Sequence, residues 1–174
     1  MLNDRRLDQV STLMAEAFEE VMGHYGPKLT RTSVVTGELD LAAIIGFAGD
    51  RASGTLAIVT SLDGATTLRR VAKVTTPDAD WLMELSNQVL GLLKRKLMAR
   101  GEHLNGGIPT LVEGRRLAVR LIQPELVACT RVWNYAHVCI SLQIGVLLAD
   151  DFGLSEPHLE AAIDQGEAIV FGDP

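Results

Sequence analysis

Four polar or small residues share one face of a predicted helix whose other faces are mainly apolar. They lie in the segment DWLMELSNQVLGLLKRKL and are Asp80, Glu84, Asn87 and Gly91. Their successive intervals of four, three and four residues bring them onto one stripe, because a helix advances about 100° per residue. An amide flanked by a carboxylate could bind another molecule, whereas the simpler interpretation is an ordinary solvated stripe.

Two residues of the stripe favour the docking interpretation. A solvated helical position suits lysine or glutamate, yet position 87 is asparagine, which is a poor helix former. Gly91 costs about 1 kcal/mol relative to alanine in a helix interior, and it removes the side chain beside Asn87. The sequence therefore predicts an exposed amide that another surface can approach closely. Four further residues fall in the same sector of about 120°, namely Gln88, Lys94, Arg95 and Met98.

Other candidate sites have less support. Gly46, Gly49 and Gly54 lie between two strand-like segments, whereas a glycine loop that binds phosphate precedes a helix. We therefore predict a hairpin turn there. His137 and Cys139 alternate along a strand-like run, but no second ligand pair has the spacing of a metal site.

The basic residues near the end of the motif helix have a structural interpretation. Lys94, Arg95, Lys96 and Arg100 lie in its last turns, where cations interact favourably with the helix dipole. Docking of a partner is the alternative.

No serine lies in a nucleophile elbow, so acyl-transfer chemistry has no support.

Composition indicates a globular protein outside the membrane. The chain has 174 residues, 47% of them hydrophobic, and a net charge of −6, which disfavours general binding of nucleic acid. No apolar stretch reaches the roughly 18 residues of a membrane span, and the first residues, MLNDRRLDQV, lack a signal-peptide core. Cys129 and Cys139 are predicted to be reduced thiols. We expect a cytoplasmic location.

The elements that must position the stripe follow an α+β order. A first helix is predicted from a cap at Asn3 or Asp4 to a stop at His24–Pro27. Three strand-like segments, 30–39, 41–49 and 53–61, suggest an antiparallel meander. A short helix capped near Asp63 follows. The long motif helix then begins at Pro77 or Asp78 and runs to about Arg100.

After the motif helix the sequence predicts a glycine-rich loop, GEHLNGGIP, and more strands. These strands cover residues 110–122, 125–136 and 137–148, and a final helix begins at Ser155. We therefore predict a single domain over residues 1–174, in which a largely antiparallel sheet of about six strands packs against long helices.

The motif D-x-x-x-E-x-x-N resembles that of the CheC/CheX/FliY phosphatase family. Here it reads Asp80-WLM-Glu84-LS-Asn87-QVL-Gly91, and Pro109 follows about twenty residues later. The order of the surrounding elements also fits, over nearly the whole chain except about the last 25 residues. The resemblance implies a CheC-like fold and hydrolysis of the aspartyl phosphate on a CheY-type receiver domain.

The resemblance also implies a role for each motif residue. Asn87 would orient the attacking water, and Glu84 would pair with the receiver's lysine; these two form the predicted catalytic set. Asp80, Gly91 and Pro109 would belong to the partner-binding surface, with Pro109 shaping the adjacent loop. The chain would need no cofactor of its own, because Mg²⁺ is expected in the receiver.

A single motif makes the chain resemble CheX rather than CheC. Glu102-His-Leu-Asn105 repeats the letters E-x-x-N, but the glycines around it predict a loop without helical register. The resemblance to CheX implies a homodimer. Two alternatives stay open. The first is a catalytically silent binding module that docks a receiver or a flagellar switch component. The second is an accidental likeness in a small-molecule or structural domain, which a buried Asn87 would reveal.

Overall fold

The computed structural model describes residues 2–119 and 127–156, with side chains from Arg5 onward. Within these residues, three helices pack against a seven-stranded antiparallel sheet, which confirms the α+β class. The helices are α1 (Leu2–Tyr25), α2 (Leu62–Val71) and α3 (Asp78–Met98). The strands are β1 (Thr30–Thr32), β2 (Leu41–Gly49), β3 (Ala52–Thr60), β4 (Leu104–Gly106), β5 (Thr110–Glu113), β6 (Val127–Tyr135) and β7 (Val138–Leu148).

The strand order is β1-β6-β7-β3-β2, and β4 and β5 both pair with different parts of β2. The β2–β3 hairpin pairs Leu41 with Thr60 and Ala48 with Ser53. This hairpin contains the glycines at positions 46, 49 and 54, so the predicted hairpin is confirmed. At Gly54 a Cβ would collide with the carbonyl oxygen of Gly145, and this close approach of strands explains the glycine.

Helix α3 packs its apolar faces against α1 and the sheet. Leu85, Val89 and Leu93 have no exposed surface, and Leu92 is also buried, as the sequence predicted. Burying each such side chain stabilises the fold by roughly 1.5–3 kcal/mol. The only orientation that buries these residues turns the polar stripe outward.

Helix α1 is confirmed, with a small shift at its start. It begins at Leu2, so Asn3 and Asp4 lie inside the helix rather than before it. Its last residue is Tyr25, and Gly26 follows with a φ of 95°. A left-handed glycine after the last turn is the usual way to end a helix. This stop makes Tyr25 the last residue of α1, where its ring lies beside that of Trp81 in α3.

The predicted meander is wrong in its first strand. Only Thr30–Thr32 of the segment 30–39 forms a strand, and it pairs with β6 instead of β2. The backbone N–H of Val34 donates to the Thr32 hydroxyl at 3.2 Å, a local hydrogen bond that competes with strand pairing. Gly37 has a φ of 81°, which no regular strand accommodates.

Two later boundaries also need correction. The predicted loop at residues 101–109 contains β4, whose Gly106 pairs with Phe47, and this strand raises the count from about six to seven. The predicted strand 110–122 ends at Glu113, because Arg116 in the following turn has a φ of 55°. The final helix from Ser155 lies outside the described residues beyond Glu156.

Helix α2 and the start of α3 are held together by polar contacts. The Ser61 hydroxyl accepts from the Gly64 N–H at 2.9 Å, so the cap of α2 is Ser61, two residues before the predicted Asp63. Asp78 pairs with Arg69 of α2.

In the described part of the chain, no helix combines the length and apolar character that crossing a membrane requires.

Candidate functional site

The polar stripe of α3 is exposed, whereas the opposite face of the helix is buried. Nine of the 21 residues of α3 are buried. Asp80, Glu84 and Asn87 are exposed on the opposite face, as the sequence predicted. The buried Asn87 that would have revealed an accidental likeness is not observed, and the side chain is free to meet another molecule.

Asn87 presents an unpaired amide to solvent. Its side chain makes no hydrogen bond with any residue in the described ranges, and the same holds for Asp80. The amide therefore keeps both its carbonyl acceptor and its NH₂ donor for a molecule from outside. Such a group can hold a water molecule without changing its protonation state.

Gly91 lies one turn beyond Asn87 and leaves open space above the helix. A Cβ built on Gly91 would meet no atom of another element within 4 Å. Its backbone is helical, so neither conformation nor packing inside this chain requires glycine there. Although glycine destabilises a helix interior, it leaves the surface of α3 beside Asn87 without a side chain.

Glu84 is held by two residues that the sequence analysis did not assign to the site. The Gln88 Nε2 donates to Glu84 Oε1 at 3.0 Å, and the Tyr25 hydroxyl donates to Gln88 Oε1 at 2.8 Å. Gln88 could have been found from its i+4 spacing, which suits such a pair. Tyr25 could not, because it lies 63 residues before Gln88 and meets it only through tertiary packing.

Pro109 lies in the loop that joins β4 to β5. At the start of this loop, a Cβ on Gly106 would lie 3.1 Å from Leu90 Cδ2 of α3, so β4 runs close against the motif helix. The next residue, Gly107, is joined to the sheet by a hydrogen bond of 2.8 Å from its N–H to the Gly46 carbonyl. Ile108 then projects into solvent with 89% of its surface exposed.

The second E-x-x-N sequence forms no comparable site. Glu102 is only 2% exposed and pairs with Arg51. Burial raises the pKa of Glu102, and the opposing charge of Arg51 does not fully offset that effect. Asn105 lies in β4 and pairs with Ala48, so the two side chains lack the one-turn helical spacing of Glu84 and Asn87.

The candidate metal pair does not share a strand face. His137 lies in the turn before β7, where its Nε2 is 2.9 Å from Asp63 Oδ2, so its predicted strand position is wrong. Cys139 is buried within β7, and both it and Cys129 are free thiols. Among residues 2–119 and 127–156, no three His, Cys, Asp or Glu side chains form a cluster that could hold a metal.

Comparison with known families identifies this arrangement. The family described as chemotaxis phosphatase CheX matches residues 41–130, which are 90 of the 174 residues and include the whole of α3. The chain belongs to the CheX family. No curated protein sequence matches this CheX-family chain significantly.

Solved structures share the fold of this CheX-family chain. A CheX chemotaxis protein from Vibrio vulnificus has a TM-score of 0.69 at 17% identity, over 79% of this chain and 95% of that chain. A chain of the CheX–CheY–BeF₃–Mg²⁺ complex from Borrelia burgdorferi has a TM-score of 0.61 at 13% identity, over 81% and 97%. The FliM middle domain from H. pylori has a TM-score of 0.53 at 11% identity, over 81% and 89%. At identities this low, each likeness establishes the fold alone.

Proposed function

We propose that this chain is a cytoplasmic, single-domain phosphatase that hydrolyses the aspartyl phosphate of a CheY-type receiver domain in chemotaxis or a related two-component pathway. The observation that carries the proposal is the joint exposure of Glu84 and Asn87, one turn apart on a helix whose opposite face is buried. The open space above Gly91 supports it, because a docking surface needs close approach.

The family description supports hydrolysis of a phosphate as the reaction class, and the exposed stripe supports the position of the site. Because one fold can carry unrelated functions, the fold by itself does not decide between a phosphatase and a binding module. The CheX–CheY complex from Borrelia burgdorferi supports a receiver domain as the kind of partner. Its Mg²⁺ is consistent with a metal that the receiver brings, where a divalent cation neutralises charge on the phosphoryl group.

Asn87 acts by placing the nucleophile. The oxygen of a water molecule forms a bond to phosphorus while the bond from phosphorus to the receiver's aspartate oxygen breaks. The products are a free carboxylate and inorganic phosphate, and the water's protons pass to phosphate and solvent. The Asn87 carbonyl accepts a hydrogen bond from this water and holds its oxygen in line with the breaking bond.

Glu84 acts by fixing the register of the complex. Its carboxylate pairs with the receiver's lysine, and this charge-assisted contact becomes stronger when the interface excludes water. Asp80, one turn earlier, extends the acidic edge of the docking surface. Gly91 lets the partner's backbone approach, and Pro109 shapes the neighbouring β4–β5 loop. We also propose that the protein works as a homodimer.

The decisive experiment uses a panel of CheY-type receivers from the same genome. Each receiver is phosphorylated on its aspartate, and release of inorganic phosphate is followed with and without this protein. Acceleration for at least one receiver supports the phosphatase. Binding of a receiver loaded with beryllofluoride and Mg²⁺, with unchanged phosphate release across the panel, would instead indicate a silent binding module.

A further inference from the structure

A chain of hydrogen bonds connects the core side of α1 to the exposed stripe of α3. It runs from the Tyr25 hydroxyl to Gln88 Oε1 at 2.8 Å, and from Gln88 Nε2 to Glu84 Oε1 at 3.0 Å. Its three members pass from half-buried Tyr25 and Gln88 to exposed Glu84. The chain therefore ends at a carboxylate of the docking surface.

The direction of each hydrogen bond follows from the chemistry of the groups. An ionised carboxylate only accepts, so Gln88 must turn its NH₂ toward Glu84. That orientation leaves the Gln88 carbonyl oxygen for a donor, which the Tyr25 hydroxyl provides. The Glu84 carboxylate thus selects the amide orientation, and the Tyr25 hydroxyl, as donor to the remaining carbonyl oxygen, holds the Gln88 side chain in place.

Tyr25 is itself fixed by the fold. Its ring centroid lies 6.3 Å from that of Trp81, with an angle of 72° between the planes, a favourable edge-to-face arrangement. Burial raises the pKa of Tyr25, and the negative charge of Glu84 acts in the same direction. The hydroxyl therefore stays protonated and remains a donor at neutral pH.

We propose that Tyr25 and Gln88 are positioning residues that hold the Glu84 carboxylate in the conformation in which it meets the cationic group of a receiver domain. This inference rests on the proposed function. An exposed glutamate otherwise loses side-chain conformational freedom when a complex immobilises it. Because the hydrogen bonds impose this order before binding, they improve affinity without touching the phosphoryl group.

The same hydrogen bonds contribute little to joining the two helices. Buried side chains of α1 and α3 belong to one continuous core, and Lys96 of α3 also pairs with Glu20 of α1 at 3.0 Å. Removing one hydroxyl should therefore leave the fold intact. A role in positioning predicts a change in receiver binding that exceeds any change in stability.

Tyr25→Phe tests the inference, because it keeps the ring on Trp81 and removes only the hydroxyl. The substrate is the phosphorylated receiver that the wild-type protein dephosphorylates fastest. We expect KM to rise about three- to tenfold, the size of one lost hydrogen bond to an ordered polar network, with kcat within about twofold. Tyr135→Phe is the matched control, since the Tyr135 hydroxyl bonds to no residue in the described ranges. It should leave KM unchanged.

A double-mutant cycle with Glu84→Ala separates positioning from folding. Once Glu84 is absent, Tyr25→Phe should have no further effect on KM, and Gln88→Met should behave like Tyr25→Phe in both backgrounds. Tyr25→Phe should also shift the NMR signals of the Gln88 side-chain amide. An equal rise in KM with and without Glu84 would overturn the inference, as would a wild-type KM in Tyr25→Phe when Glu84→Ala is impaired. A wild-type protein that accelerates no receiver's dephosphorylation would overturn the proposed function and this inference with it.

Discussion

The guanidinium of Arg69 in α2 forms an ion pair with the carboxylate of Asp78, the first residue of α3. The Thr66 hydroxyl donates to the second oxygen of that carboxylate at 2.5 Å. Pro77 occupies the cap position of α3 and provides no side-chain hydrogen bond there. The start of the helix that carries the site therefore depends on contacts from α2.

The first prediction concerns stability and its dependence on pH. Partial burial acts to raise the pKa of Asp78, but the Thr66 hydrogen bond and the Arg69 charge outweigh it, so the pKa is lowered. A lowered folded-state pKa stabilises the protein above the ordinary aspartate value of about 3.9, and this contribution is lost as pH falls through the folded-state pKa. Asp78→Asn should lower the free energy of unfolding by about 1–2 kcal/mol near pH 7.

Chemical denaturation at a series of pH values measures the difference in the free energy of unfolding between the wild-type protein and Asp78→Asn. This difference should become smaller as the pH falls below about 4, because the wild-type Asp78 carboxylate then becomes protonated and loses its charge. Asp80→Asn is the control, since Asp80 is exposed on the same turn of α3 and has no side-chain partner among the described residues. It should change the free energy of unfolding by less than about 0.5 kcal/mol. A difference for Asp78→Asn that stays constant with pH would contradict the prediction.

The second prediction separates the folding role of Gly91 from its docking role. The open space above Gly91 accepts a side chain, and replacing a glycine in a helix interior improves helix propensity by about 0.5–1 kcal/mol. Gly91→Gln should therefore raise the free energy of unfolding. It should also weaken binding to the phosphorylated receiver at least tenfold, because about 1.4 kcal/mol of lost contact is enough for that change.

Gly23→Gln is a matched control for Gly91→Gln. Gly23 lies in the last turn of α1, and a Cβ built there also meets no atom within 4 Å. A side chain at position 23 lies about 200° around the helix axis from Tyr25, away from the hydrogen bonds that reach Glu84. The Gly23→Gln variant should therefore gain stability without losing receiver affinity, as measured by thermal unfolding and titration calorimetry. Equal losses of affinity in both variants would exclude a specific approach over Gly91.

The helical stripe could be predicted from the sequence because its positions are related by local geometry. Glu84 and Asn87 are three residues apart, so the helix alone determines that they share a face. The flanking leucines determine which face is buried. Tyr25 reaches the same site only because α1 packs beside α3, and no local spacing encodes that contact. Residues joined through tertiary structure were therefore missed.

Strand pairing was predictable only where a short turn links the partners. The β2–β3 hairpin follows from two apolar runs separated by Asp50 and Arg51. The strand at Thr30–Thr32 pairs with Val132–Asn134, about one hundred residues later, and its composition contains no information about that partner. β4 was missed because two of its residues, Asn105 and Gly106, are unfavourable in strands, and pairing with β2 overrides that preference.

The third prediction concerns self-association. β1 covers only Val132–Asn134 of β6, so in the described part of the chain residues 127–131 of that strand have no neighbour on the side away from β7. An uncovered edge favours pairing with another strand, and we expect a symmetric homodimer formed by sheet extension. Light scattering should give about twice the chain mass of 18.8 kDa. A monomer mass at micromolar concentration would contradict the dimer.

The fourth prediction assigns the orientation of water to Asn87. Asn87→Ala removes an exposed amide without intramolecular partners in the described residues and improves helix propensity, so the protein should stay folded with equal or slightly higher stability. Losing one oriented polar contact to a reacting group lowers the rate by roughly 10²–10³, and kcat should fall by that factor with little change in KM. Asn105→Ala, in the E-x-x-N sequence that forms no helical pair, is the control and should keep wild-type kcat. If Asn87→Ala kept full activity on the receiver that the wild-type protein dephosphorylates fastest, the proposed role of Asn87 in orienting water would be wrong. The attacking water would then reach its position in line with the breaking bond without help from the amide.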